Sequence, residues 1–307
     1  MPTKILMVGS VMMDLILRVD RAPEKNENVL GRIHGTACGG KGSNAAVAAA
    51  RLGAKVTTYG TLGNDANGKV LLNMLGSEGV NTKGLKLKDG AATGFVVIIL
   101  DKDGNNRLVI CPGANMETTP DGLEEIFKDD FDAMLLQLEI PLEANVKAVE
   151  LGHKKGIVVV LDAGPAQEYN LEALKGVTIL SPNETETKAL TGIYPEDDAT
   201  CLAASKKLME RNGCEFVALK LGERGSYIYD GKKIAQMVAP FKVKALDPTA
   251  AGDAYTGALA KKYAETKDIL AAAKYANACG ALSTQKIGAQ PSLPTDKELD
   301  AFIASYK

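Results

Sequence analysis

Two periods alternate along this chain. Residues 5–8 are a short uniform apolar run ended by Gly9 and Ser10, the pattern of a strand buried on both faces. Residues 11–19 continue apolar with Asp14 embedded, and 21–28 are polar with a proline. From Gly40 the spacing becomes helical, and the alanine-rich stretch 45–52 suits close packing against a sheet. A strand is predicted at 56–60 and a helix at 65–77, with Val70, Leu71, Met74 and Leu75 on one face. Residues 95–100, the turn Asp103-Gly104-Asn105 and residues 108–111 read as a hairpin. Beyond Pro120 the order is regular: strand 133–138, helix 142–155, strands 157–161 and 177–180, helix 199–211, strand 216–221 and two closing helices. Such alternation predicts an α/β fold, a mostly parallel sheet covered by helices on both faces, with ligands at the strands' C-terminal ends.

The length of 307 residues admits one large α/β domain or two ordinary ones, and no internal repeat or low-complexity linker appears. Hydrophobic content of 46% and charge of 24% are those of a soluble protein with a sizeable core. A net charge of −2 and the lack of a basic stripe interleaved with aromatics exclude a nucleic-acid footprint. Cys38, Cys111, Cys201, Cys214 and Cys279 are scattered and odd in number, without zinc-site spacing, and read as reduced thiols of a cytoplasmic protein. The start resembles a short signal peptide, but Asp14 interrupts it and no small-residue cleavage site follows. The longest apolar run, 95–100, is far below the roughly 18 residues of a membrane span.

The most informative stretch is 245–258, Ala-Leu-Asp-Pro-Thr-Ala-Ala-Gly-Asp-Ala-Tyr-Thr-Gly-Ala. Its small residues Ala250, Ala251 and Gly252 lead into a helical segment, so backbone N–H groups converge at a helix start that favours an anion. Asp253 in this cup reads either as an N-terminal cap or as a general base beside a phosphate hole. Asp247, Pro248 and the small-residue run favour the base, since a simple cap needs none of them.

This stretch resembles the C-terminal motif of the ribokinase family of ATP-dependent sugar kinases. Gly39-Gly40-Lys41-Gly42-Ser43-Asn44 is similar to the family's sugar-binding helix start. Leu136-Gln137-Leu138-Glu139, Pro182-Asn183-Glu184-Thr185-Glu186, Lys220-Leu221-Gly222-Glu223-Arg224-Gly225 and Gly288-Ala289-Gln290-Pro291-Ser292 fall in the family's order, so the resemblance covers essentially the whole chain. It implies a single ribokinase-like domain over 1–307, with a small β lid from about 11–20, 30–38 and 91–112 over the sugar. It implies ATP, Mg2+ and K+ as cofactors. The N–H groups of Ala250, Ala251, Gly252 and Asp253 would form the electrophilic hole and Asp253 would serve as base. Asn183 and Glu186 would hold the magnesium–phosphate network through water, although an ordinary cap explains them equally. Lys220, Leu221, Gly222, Glu223, Arg224 and Gly225, with Gly252, would approach the nucleotide, and Asn277 aligns with an adenine-site position. Asp247, Thr249, Ser283, Lys286, Gly288 and Ser292 align with a monovalent cation site built mostly from carbonyls.

The sugar set is Met12, Asp14, Gly39, Gly40, Lys41, Asn44, Glu139 and Asp253. Asp14 and Asn44 suit vicinal hydroxyls, and Glu139 reads as a buried carboxylate whose partner is Lys41 or the sugar. Ribokinases carry an asparagine where this chain has Met12, and the deoxyribokinase branch looks like this chain there. That departure places 2-deoxy-D-ribose first and ribose second, with a discrimination of only about 10² or less; a methionine that merely packs beneath the lid is the other reading. A P-loop kinase is rejected: residues 35–41 meet most of the Walker A spacing and 158–162 imitate a Walker B strand, but Gly42 stands where Ser or Thr is required. A related sugar or nucleoside kinase and a silent sugar or nucleotide sensor remain as alternatives, the latter disfavoured by Asp253. Open lid edges imply a homodimer.

Overall fold

The computed structural model describes residues 1–103 and 106–306, so the Gly104-Asn105 part of the expected hairpin turn lies outside the described residues. The elements follow as β1 (Lys4–Val8), β2 (Met12–Val19), β3 (Gly31–Gly39), α1 (Lys41–Arg51), β4 (Lys55–Gly63), α2 (Ala66–Ser77), β5 (Asn81–Lys88), β6 (Phe95–Leu100), β7 (Asn106–Cys111), α3 (Leu123–Ile126), β8 (Ala133–Gln137) and α4 (Leu142–Lys155). Then come β9 (Val158–Asp162), β10 (Ile179–Ser181), α5 (Glu184–Thr191), α6 (Asp198–Asn212), β11 (Phe216–Lys220), β12 (Ser226–Tyr229), β13 (Ala235–Val238), α7 (Ala251–Thr266), α8 (Ile269–Ser283), α9 (Ala289–Ser292) and α10 (Asp296–Ser305).

The uniform apolar runs behave as the sequence demands. Successive strand residues point to opposite faces, so a strand covered on both sides needs apolar side chains at every position. Ile5 and Met7 of β1 pack in the layer that holds α1, α7 and α8, while Leu6 and Val8 pack in the opposite layer with α4 and α6. The same division runs through β8, where Leu135 faces one layer and Leu136 the other. Among the described residues the large sheet has nine strands in the order β13-β12-β11-β10-β9-β8-β1-β4-β5. Strands β11 to β5 in this order pair in parallel, and their C-terminal ends therefore share one edge. The order reverses between β1 and β8, which opens a crevice at that edge.

A second sheet, β3-β2-β6-β7, takes in the segments expected to make a lid, with β3 ending at Gly39. Three features were not expected. The strand β5 is polar and mostly exposed, because an edge strand has only one neighbour and carries lysines outward. The strands β12 and β13 are four residues each and pair antiparallel; the Oδ1 of Asp230 accepts three successive N–H groups, from Lys232, Lys233 and Ile234, and sets the turn between them. The chain closes with four helices, α7 to α10, in place of two. No helix among the described residues is long and apolar enough to cross a membrane.

Candidate active site

The crevice is assembled from strand ends and two helix starts. Past β1, the hydroxyl of Ser10 donates to Glu139 Oε2 past β8, closing the switch point with a hydrogen bond across 129 residues of sequence. The backbone N–H of Lys41, the first residue of α1, donates to the same oxygen at 3.1 Å. Glu139 is half-buried, and its partners are this amide and Ser10. The carboxylate is thus less buried than the sequence implies, and it meets Lys41 through the backbone amide and not the ammonium. The cause is the α1 start, which offers N–H groups without a side-chain cap.

On one side of the crevice lie Met12 and Asp14, two residues apart on β2 and thus on one face of the lid sheet. Gly39 approaches so closely that a Cβ there would overlap the Asp14 carboxylate, and Gly40 caps α1 at φ 90°, where a side chain would be strained. Asp14 is 7% exposed and accepts no hydrogen bond among the described residues. Burial, then the charges of Asp253 and Glu139, push its carboxyl up to about 7. Asn44, on the first turn of α1, donates Nδ2 to Asp253 Oδ2 at 2.8 Å, and its buried Oδ1 has no donor. Two acceptors thus face the crevice without partners, the arrangement that a polyhydroxyl ligand completes.

On the other side is the start of α7. No side chain caps it; Ala250 takes the left-handed conformation at φ 62°, and the Ala251 N–H is spent on Pro248 O at 3.1 Å. Of the four N–H groups named from sequence, that of Ala251 is therefore taken within the fold, and those of Ala250, Gly252 and Asp253 are left as candidate donors of the anion hole. Asp253 is 7% exposed, and burial pushes its carboxyl up to about 6 against the pull of Lys41. The Lys41 ammonium lies 3.4 Å from Glu186 Oε1, 3.7 Å from Asp162 Oδ1 and 3.9 Å from Asp253 Oδ1. Burial alone would lower its pKa, but these carboxylates hold it well above the usual lysine range.

Asn183 and Glu186 form a reciprocal capping box: Asn183 Oδ1 accepts from the Glu186 N–H at 2.8 Å and Glu186 Oε2 from the Asn183 N–H at 2.7 Å. The cap and the phosphate-side position are compatible, because Glu186 keeps Oε1 for Lys41. Lys220 ends β11 with Nζ 2.6 Å from Asp162 Oδ2. Leu221 to Gly225 form a tight turn, with Leu221 N–H donating to Gly225 O at 2.9 Å. Gly222 and Gly225 have φ of 55° and 87°. Arg224 is engaged away from any ligand, donating to Glu184 Oε1 and to carbonyls of Pro195 and Glu196, and Glu223 is exposed. Asn277 donates Nδ2 to Val238 O and Ala239 O, fixing the segment that Gly225 packs against.

The two loops of the expected cation site meet: Asp247 Oδ1 accepts from Thr249 N and Oγ1, and Oδ2 from the Gly288 N–H at 2.8 Å. Ser283 and Ser292 donate their hydroxyl protons to carbonyls on their own helices, which leaves their oxygen lone pairs free, whereas the Lys286 ammonium pairs with Glu298. Sequence reasoning missed Asp162, Ser10 and Thr256. The signal for Asp162 was present in an apolar strand ending in a carboxylate. A separate cavity of about 570 Å3, lined by Lys4, Lys55, Lys128 and Asp129 among others, opens at the strands' opposite end and gathers charges of both signs.

The family model that matches the chain is "pfkB family carbohydrate kinase", over residues 2–296. A ribokinase of Haemophilus influenzae is 34% identical over 298 residues, covering 96% of this chain and 97% of its own. A deoxyribokinase of Salmonella typhi is 31% identical, covering 98% of each chain. The structure of Arabidopsis thaliana ribokinase complexed with ribose and ATP superimposes with a TM-score of 0.89 at 33% identity, covering 98% of both chains.

The unpartnered Asp14 carboxylate yields a prediction with a definite sign. A carboxyl raised to about 7 in the fold disfavours the folded state as pH rises from its unfolded value toward 7. Asp14→Asn is therefore expected to stabilise the fold, by more at pH 8 than at pH 5 and at most by on the order of a few kcal/mol, and so to raise Tm more at pH 8. Sugar affinity is expected to fall in the same protein. Thermal melts at both pH values check the first part, and a lower Tm at pH 8 would refute it.

Proposed function

The chain belongs to the pfkB family of carbohydrate kinases, phosphotransferases with an alcohol group as acceptor, and from that membership we propose that it transfers the γ-phosphate of ATP to the 5-hydroxyl of D-ribose. The observation that carries this reading is the pair of unfilled acceptors, Asp14 and Asn44 Oδ1, beside the base candidate Asp253 and the N–H donors of α7. The hydroxyl oxygen attacks the γ-phosphorus; the bond to the β,γ-bridging oxygen breaks, and ADP leaves with its electron pair. The hydroxyl proton passes to Asp253, which Asn44 holds in place through the hydrogen bond to Oδ2. The N–H groups of Gly252 and Asp253 and the Lys41 ammonium meet the charge on the moving phosphoryl group.

The acceptor is where the sequence and the relatives pull apart. Met12 placed 2-deoxy-D-ribose first, whereas a relative named ribokinase is more similar than the one named deoxyribokinase. Met12 is 1% exposed and wedged between Gly40 and Gly94, whose Cβ positions would stand 3.2 and 3.1 Å from its Cγ. A thioether packed in this way supports the reading of a core methionine beneath the lid. Deoxyribose stays as the second reading, because Met12 also offers no amide to a 2-hydroxyl.

Magnesium fits the donor set, since Glu186 and the unbonded Asp162 Oδ1 are hard oxygens at the phosphate side, and the ion would supply charge neutralisation there. Potassium is supported by the carbonyl-rich loops that Asp247 joins. The exposed lid residues Ile33, Leu108, Val109 and Ile110 support a homodimer, which a single-chain mass in light scattering would remove.

ADP release in a coupled assay tests the reading. Asp253→Asn should lower kcat by about two to four decades while sugar and nucleotide still bind. With Asp253 at about 6, kcat/KM should fall as pH drops through about 6 and the base takes up its proton; a flat profile would remove the base role. Met12→Asn should raise kcat/KM for ribose relative to deoxyribose, and an unchanged ratio would show that Met12 only packs. Exchanging potassium for choline should depress turnover.

A further inference from the structure

We propose that Lys220 is a catalytic contact of the transferred phosphate and that Asp162 is the residue that positions it, an assignment that rests on the kinase reading above. Lys220 is 7% exposed, and its Nζ stands 3.6 Å from where a Cβ on Gly252 would be. The ammonium therefore borders the N–H donors at the start of α7. An ammonium has three donors to place. Among the described residues only one of them is used, on Asp162 Oδ2 at 2.6 Å, and Glu186 Oε2 lies at 4.0 Å, beyond hydrogen-bond reach. The remaining N–H directions of a buried cation call for an acceptor, and a phosphate oxygen at the α7 start supplies it.

Asp162 is built to aim this group. The carboxylate is 2% exposed and joins Lys220 to the base-bearing helix, since its Oδ2 also accepts from Thr256 Oγ1 at 3.0 Å. Thr256 Oγ1 in turn lies 2.9 Å from Gly252 O, so the lysine, the anion hole and the base share one network. The strands β9 and β11 are not neighbours. The intervening chain pairs Ser181 with Asp162 and bridges Asn183 with Lys220, so the long lysine side chain crosses it to reach the carboxylate. The other oxygen, Oδ1, faces Lys41 at 3.7 Å, so a single carboxylate stands between two ammonium groups. A buried ion pair kept purely for stability is a poor device, because apolar replacements are often as stable. Its place beside a helix start that lacks a cap points to the reaction.

The experiment compares Lys220→Gln, Asp162→Asn and the double variant, which removes both charges and keeps the site neutral if either single variant melts early. Turnover is measured with ATP and with ATP carrying sulfur on the γ-phosphate, and sugar binding by calorimetry. Lys220→Gln should lower kcat by about 10²–10³ with sugar affinity unchanged, and the sulfur effect should shrink, since the contact to that phosphate is gone. Asp162→Asn should show a smaller loss and the same shrinkage, and the double variant should be no faster than Lys220→Gln. A double variant that recovers wild-type turnover, or a Lys220→Gln enzyme with normal kcat and an undiminished sulfur effect, would overturn the proposal and leave a structural pair. Wild-type turnover in the same assay separates the two readings: its absence on pentoses overturns the kinase function itself, whereas its presence with an unimpaired Lys220→Gln overturns this assignment alone.

Discussion

Two ammonium groups and three carboxylates share one poorly hydrated cluster at the carboxyl edge of the parallel sheet. Lys41 and Lys220 face Asp162, Glu186 and Asp253 at 2.6 to 4.0 Å, and every one of these side chains except Lys41 is almost fully buried. None of the five is tolerable there alone, because an unpaired charge loses its hydration with nothing in return. Their mutual neutralisation keeps a highly charged site folded in the absence of substrate. It also places two positive groups beside the start of α7, where the proposed reaction would bring phosphate charge.

The rest of the crevice is held differently. Asp14 has no donor, Asn44 Oδ1 has none, and Ala250 holds a left-handed backbone that an alanine adopts at a cost of about 1–2 kcal/mol. Each is a defect for stability, and all three lie within one functional region. A ligand with several hydroxyls would satisfy the two acceptors, and part of its binding free energy would come from relieving groups that the fold leaves wanting. The raised carboxyl of Asp253 suits the base role proposed for it, since a base must be able to hold a proton.

The Asn183–Glu186 element illustrates how local and long-range roles coexist. Its capping box satisfies N–H groups at the start of α5, a task that any helix start presents. The same glutamate carries its second oxygen to Lys41, 145 positions earlier in the chain and on a different helix. Functional and ordinary readings of such a motif are not exclusive, because a carboxylate has two oxygens and a cap occupies one. Asn277 and Arg224 also carry local tasks: Asn277 Nδ2 donates to backbone carbonyls and Arg224 to Glu184, which holds the walls of the turn at 221–225.

Uniform apolar runs fix strands covered on both faces, and alternation with helical segments fixes a mostly parallel sheet, because these depend on side-chain periodicity within a few residues. Asp253, Asn44, Asp14 and the uncapped start of α7 were legible for a similar reason, since small residues and carboxylates at a helix start announce their chemistry locally. The edge strands β5, β12 and β13 were not, as short polar strands carry little periodic signal. Only the tertiary structure decided that Lys41 turns to Glu186, Asp162 and Asp253, that Glu139 is held by Ser10 and an amide, and that Asp162 meets Lys220. Those contacts join residues far apart in the chain, from 58 positions for Asp162 and Lys220 to 129 for Ser10 and Glu139 and more for Lys41, through the order of strands in the sheet. Which side chain faces which across that edge is set by strand neighbours that no local pattern encodes.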